Sequence, residues 1–428
     1  MNEDFLSFIW KYRLYHSDLK TTTGIPVTVL KPGEQHSNSG PDFFNARIRI
    51  GETLWAGNVE IHVLASDWYR HRHQTDKAYN NVILHVVYEA DSDIIIGDMT
   101  TVPTIALSEQ ADMEVLKNYR NLRTSRLHIP CGAQLQTVPE LILNSWTDRM
   151  LVERLEYKSI QIELALHVNK GDWEDAFYQL LARNFGFHVN AGPFEMLARC
   201  LPRNLLLRHA DQLHQVEALV LGQSGLLEGN FKDEYPSLLQ KEYHFLSRKY
   251  GLMPLDKHIW KLLRMRPANF PTIRMSQFAG LIADNDFSMQ ELLLLPSSDL
   301  IMNKFRVSAS PYWNNHYLFD KPTRYRPANL GESSIRNILI NTIAPVLFYY
   351  GKSKGAETAC EQAFSLLRNL PAEQNHILDE WIRNGVKADS AYTGQALMGL
   401  YKDFCSQKKC LNCSLGIQIL NKKHEHAG

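Results

Sequence analysis

Asp42, Glu60 and His62 are the residues whose types and spacing can do chemistry. Pro41-Asp42 stands just before an alternating strand over 46–50, and Glu60 and His62 lie in Gly57-Asn58-Val59-Glu60-Ile61-His62-Val63. In that second strand Trp55, Val59, Ile61 and Val63 share one face at a period of two, which sends Glu60 and His62 together to the other. A hairpin turn at Gly51-Glu52 brings the start of the first strand near the far end of the second, so Asp42 and Glu60 are placed to share a divalent cation. The other use of Glu60 and His62 is a hydrogen-bonded polar pair at a sheet edge.

Further imidazoles follow in Asp67-Trp68-Tyr69-Arg70-His71-Arg72-His73-Gln74-Thr75-Asp76. His71 and His73 can complete a metal site, or grip a phosphate with Arg70 and Arg72 beside them, or simply form an exposed polar turn. His85 interrupts the apolar run 82–88, which reads as a central strand; it is either bonded to a neighbour or catalytic.

At the other end, Cys405-Ser-Gln-Lys-Lys-Cys410-Leu-Asn-Cys413 gathers three of the six cysteines. Thiolates so spaced can converge on zinc or an iron–sulfur cluster, and Lys408 and Lys409 favour their deprotonation. Three ligands fill neither kind of centre. The fourth is open among Cys360, Cys131, Cys200, His424 and His426; free buried or redox-active thiols, and disulfides, are the alternatives.

The placement of Asp42 and Glu60 resembles the PD-(D/E)XK nuclease superfamily, in which an Asp at one strand and Glu-x-Lys on the next bind magnesium and orient a water for phosphodiester cleavage. The resemblance covers about the first hundred residues. It implies that Asp42 and Glu60 bind magnesium or manganese and that His62, standing where that superfamily usually has Lys, positions or deprotonates the water. His71 or His73 then assists at the phosphate. Some nucleases of the superfamily also carry an iron–sulfur cluster whose cysteines flank the nuclease core. Over nearly its full length the chain is also similar to the bacterial family labelled domain of unknown function 2851. That similarity rests on Gly40-Pro41-Asp42-Phe43, the segment 57–62, Asp67-Trp68, the segment 82–86, Arg266-Pro267-Ala268-Asn269-Phe270-Pro271 and the closing cysteines, and it implies no activity.

The elements that must position these residues read as an α+β chain. An amphipathic helix over 5–14 is suited to cover a sheet with strands at 27–30, 43–50, 54–64, 81–89, 94–96 and 102–107, antiparallel or mixed from its short connections. From Glu109 the period becomes helical, with helices over 141–169, 172–185, 193–200, 203–221 and 235–250 and others beyond two prolines at 267 and 271. The expected domains are 1–108, 109–260 and 261–428. Lys117, Arg120, Arg123 and Arg126 form a stripe that either touches a nucleic-acid backbone or is a solvated face. Arg264, Arg266 and Arg274 are further candidates for phosphate contact or internal pairing.

The 46 basic and 46 acidic residues balance, which argues against a general polyanion-binding surface. No apolar run approaches a membrane span, and the start Met1-Asn2-Glu3-Asp4 lacks the pattern of a signal peptide, so a cytoplasmic protein is expected. Phosphate loops, Gly-x-Ser-x-Gly elbows and His-Glu-x-x-His pairs are missing. Two functions are carried forward: a metal-dependent nuclease-like phosphodiesterase acting on nucleic acid, and a non-catalytic helical interaction protein with a structural metal at its C-terminal cysteines.

Overall fold

The computed structural model describes residues 2–36, 39–96, 100–108, 110–263, 265–285 and 288–421. Arg264, His424 and His426 lie outside the described residues. The chain is α+β, a mixed sheet followed by many helices. It divides into two compact units. The first is Met1–Thr147 with Asp379–Val386 and Leu400–Gly428; the second is Asp148–Leu378 with Lys387–Gly399.

In the first unit, helix α1 (Glu3–Tyr12) buries Phe5, Leu6, Phe8, Ile9 and Trp10. Each such side chain gains roughly 1.5–3 kcal/mol on leaving water, so this face fastens α1 to the sheet. The helix ends at Arg13, whose left-handed φ of 55° turns the chain and whose guanidinium donates to the Leu30 carbonyl at 2.8 Å.

Strands β1 (Val27–Lys31), β2 (Glu34–Gln35), β3 (Phe43–Ile50) and β4 (Thr53–Leu64) open the sheet. They are joined by β5 (Val82–Glu89) and, after a separate ribbon of β6 (Ile95–Ile96) and β7 (Thr100–Thr101), by β8 (Thr104–Ala106). The order is β1-β3-β4-β5-β8, with β2 also paired to β3. β1, β3 and β4 run antiparallel, whereas β4, β5 and β8 run parallel. A parallel neighbour needs a crossover, and the segment from helix α2 (Asp67–Arg70) to Tyr79 supplies it between β4 and β5.

Trp55 departs from the expected buried set. Residues 53–56 of β4 are exposed, with Trp55 at 45 % exposure, whereas residues 57–62 are buried on both faces. The reason is topological: β5 flanks β4 only from Asn58 onward.

Helix α3 (Met113–Thr124) holds Lys117, Arg120 and Arg123 on its exposed side, with Arg126 exposed just past its end. In the second unit the segment after the two prolines forms the helix Pro271–Asn285, and the expected helix over 203–221 is two, Arg203–Leu207 and Leu213–Gln223. Arg274 is buried there, donating to Asn269, Gln277 and Ser334 and lying over the Phe187 ring, so it offers no charge to an outside phosphate. Among the described residues no helix is long and apolar enough to cross a membrane.

Candidate metal centre

The register of β3 and β4 sets the carboxylates. Between Phe43↔Val59 and Ala46↔Gly57 the strand β3 carries one residue more than β4, with Asn45 left-handed at φ 57°. Such a bulge bends its strand and re-aims the side chains next to it. Just before it, Asp42 donates its backbone N–H to Glu60 Oε2 at 3.1 Å, and Asp42 Oδ2 accepts the backbone N–H of Ile61 at 3.0 Å. These reciprocal bonds clamp two carboxyl groups at one level of the sheet. Burial raises both above the ordinary carboxylate range; the Glu60 charge raises Asp42 further, and the Glu3 charge raises Glu60 further. A cation between them would relieve both.

The imidazoles join the same place. Glu60 and His85 are register partners on β4 and β5, and His62 lies two residues on, on the same face as Glu60. His62 Nδ1 is 2.8 Å from His85 Nε2, and His62 Nε2 is 3.1 Å from His71 Nδ1. Burial, then the charges of the neighbouring imidazoles, holds His62 down at about 2; burial and His73 hold His85 at about 3. Both rings are therefore neutral at neutral pH, the form in which imidazole binds metal.

His71 and His73 converge because of the turn between them. Helix α2 stops at His71, Arg72 adopts a left-handed φ of 62°, and a 3₁₀ turn begins at His73. The reversal points both rings at His62, with 5.5 Å between their own centroids. His73 Nε2 comes within 3.3 Å of Glu60 Oε1, its ring stacks on Tyr79 at 3.8 Å, and burial lowers its pKa. Trp68, fully buried, sets its edge against His62, His73 and His85. One nitrogen from each of His62, His71 and His73 lies within 4.8 Å of the others, close enough to hold one ion.

The structure thus brings Asp42, Glu60, His62, His71 and His73 together, and His85 behind them. Arg70 is paired with Asp67 at 2.6 Å, while Arg72 is exposed. Glu3 was not among the expected residues. It sits in the first turn of α1, burial raises its pKa, and its charge is felt by Asp42, Glu60 and His73. Its sequence signal is faint: an acid opening the helix that covers the sheet.

All six cysteines are free thiols. Cys131, Cys405, Cys410 and Cys413 belong to the first unit, and Cys200 and Cys360 to the second.

The chain matches a family described as protein of unknown function (DUF2851) over residues 3–376, and it belongs to that family. The matched span ends before the three clustered cysteines. No curated protein and no solved structure matches it.

Proposed function

We propose that this member of the DUF2851 family is a metal-dependent phosphodiesterase that cleaves nucleic acid. The observation that carries the reading is the interlocked Asp42–Glu60 pair facing His62, His71 and His73. A bound divalent ion would polarise a phosphoryl oxygen and make a bound water acidic. Neutral His62, hydrogen-bonded to His85 on one nitrogen and to His71 on the other, would position the ion and its water rather than take the proton. Exposed Arg72 supplies charge for the phosphate. Imidazole ligands favour transition metals, so manganese suits this mixed set better than magnesium. Six free thiols fit a reducing compartment, the cytoplasm.

The test is a cleavage assay on metal-stripped protein resupplied with magnesium or manganese, using single- and double-stranded DNA and RNA beside Glu60→Ala. Cleavage should depend on metal and fall in Glu60→Ala by more than the roughly 10–100-fold typical of losing an outer-shell partner. An equally active Glu60→Ala protein overturns the site. Absence of cleavage on every substrate would leave the non-catalytic interaction protein as the better reading.

A further inference from the structure

Four cysteines from distant parts of the chain meet in the first unit. Cys131 opens the 3₁₀ segment Gly132–Thr137, Cys405 closes a π turn at Tyr401–Cys405, and Cys410 opens another 3₁₀ turn. Cys413 stands immediately before the closing helix Ser414–Asn421. That helix packs against both the Cys410–Asn412 turn and the Gly132–Thr137 segment, which brings the C-terminal trio to Cys131. The fields of the four sulfurs overlap: Cys413 and Cys410 act on Cys131, and Cys131, Cys413 and Cys410 act on Cys405. Cys131, Cys405 and Cys413 are buried and Cys410 half-buried.

The loop that carries three of them is held in place from several sides. A side-chain carbon on Gly416 would stand 2.2 Å from the Cys410 carbonyl oxygen, so the loop folds onto the helix start only with glycine there. Lys409 N–H bonds to the Phe404 carbonyl at 3.0 Å, joining the Cys405 and Cys410 turns. The Lys408 ammonium reaches the carbonyls of Arg123 and Ser125 at 2.7 and 2.9 Å, and Lys408 itself is left-handed at φ 52°.

The remaining cysteines behave differently. Cys360 donates its thiol to the Phe348 carbonyl at 3.6 Å, and Cys200 is exposed.

We propose that Cys131, Cys405, Cys410 and Cys413 form a four-thiolate site for a soft metal centre, with Cys131 the fourth ligand that the C-terminal trio lacks. The centre is an iron–sulfur cluster, whose four thiolates stand farther apart than the ligands of a single ion, and it would staple the segment 405–413 to Cys131. Loading exchanges the thiol protons for the metal. This site is independent of the carboxylate–imidazole centre and stands whether or not that centre cleaves phosphodiesters.

The full chain, purified with and without exclusion of air, would be assayed for zinc, iron and acid-labile sulfide. The expected content is about four iron with matching sulfide, lost in Cys131→Ser and in Cys413→Ser and kept in Cys360→Ser. Cobalt(II) offered to the stripped chain gives a sulfur-to-metal charge-transfer band that an imidazole–carboxylate site does not. That band should survive Glu60→Ala and His73→Ala. If Cys131→Ser fails to fold, alkylation of wild-type protein followed by mass spectrometry decides. The four cysteines should be protected together and exposed together by chelator, while Cys200 reacts at once. Full iron content in folded Cys131→Ser, or a wild-type chain that holds no iron and gives no cobalt band, overturns the proposal.

Discussion

Asp42 and Glu60 carry raised pKa values, so the metal-free folded chain keeps protons that its unfolded form has lost. Above the ordinary carboxylate range near pH 4, stability of the metal-free protein should therefore fall as pH rises, until those two groups ionise in the fold. His62 and His85 act in the opposite direction. Their lowered values mean that the unfolded chain binds more protons below about pH 6.5, so stability falls again as the solution is acidified. Because a cation must displace the carboxyl protons, manganese affinity should rise about tenfold or more between pH 6 and 8, with protons released. Calorimetric titration in buffers of different ionisation enthalpy checks this, and Glu60→Gln should flatten the pH dependence. His62→Ala strips His85 Nε2 of its partner inside the core, which costs about 1–3 kcal/mol, read from the denaturant midpoint. The placement of Glu60 and His62 was legible because strand alternation puts them on one face, and that of Asp42 because a hairpin returns the start of the first strand toward them. Glu3 was not, since its nearness arises only when α1 docks. The meeting of His71 and His73 depends on a left-handed arginine, a conformation that residue type does not announce.

At the level of elements, the close approach of β4 to β5 decides where Glu60 stands. A side-chain carbon on Gly57 would fall 2.4 Å from Ile83 Cγ2 and 2.7 Å from the Asn81 carbonyl oxygen, next to the Asn58 N–H···O=C Asn81 bond at 2.9 Å. Gly57→Ala should therefore part the two strands three residues before Glu60. The expected result is a loss of about 1–3 kcal/mol in stability and a matching loss of metal affinity, measured by thermal unfolding and by manganese titration. Phe43–Ile50 and the long helix Glu140–Val168 were readable from period and length within a residue or so. The parallel pairing of β4 with β5 was not, because a crossover built from α2 and two short 3₁₀ turns lacks the long helical period that usually marks such a connection. The same limit explains Trp55, whose exposure depends on which strand lies beside it.

For the molecule as a whole, the decisive fact is that Leu400–Gly428 belongs to the unit that starts the chain. Leu415, Ile419 and Leu420 are buried in the closing helix, which packs on α3 and on Gly132–Thr137. Truncation after Gly399 should uncover that apolar surface, lower the unfolding temperature of the first unit and speed its proteolysis, while Trp173–Phe185 and Pro271–Asn285 in the second unit stay protected. Limited proteolysis with mass spectrometry would register the difference. During synthesis the same return of the chain acts as a delay. At about 5–20 residues per second, roughly 10–50 s separate the emergence of Thr147 from that of Leu400. For that interval the carboxylates and imidazoles sit on an unfinished body, so a chain proposed to cut nucleic acid holds those groups in a partial unit until Leu400 and the residues after it have emerged.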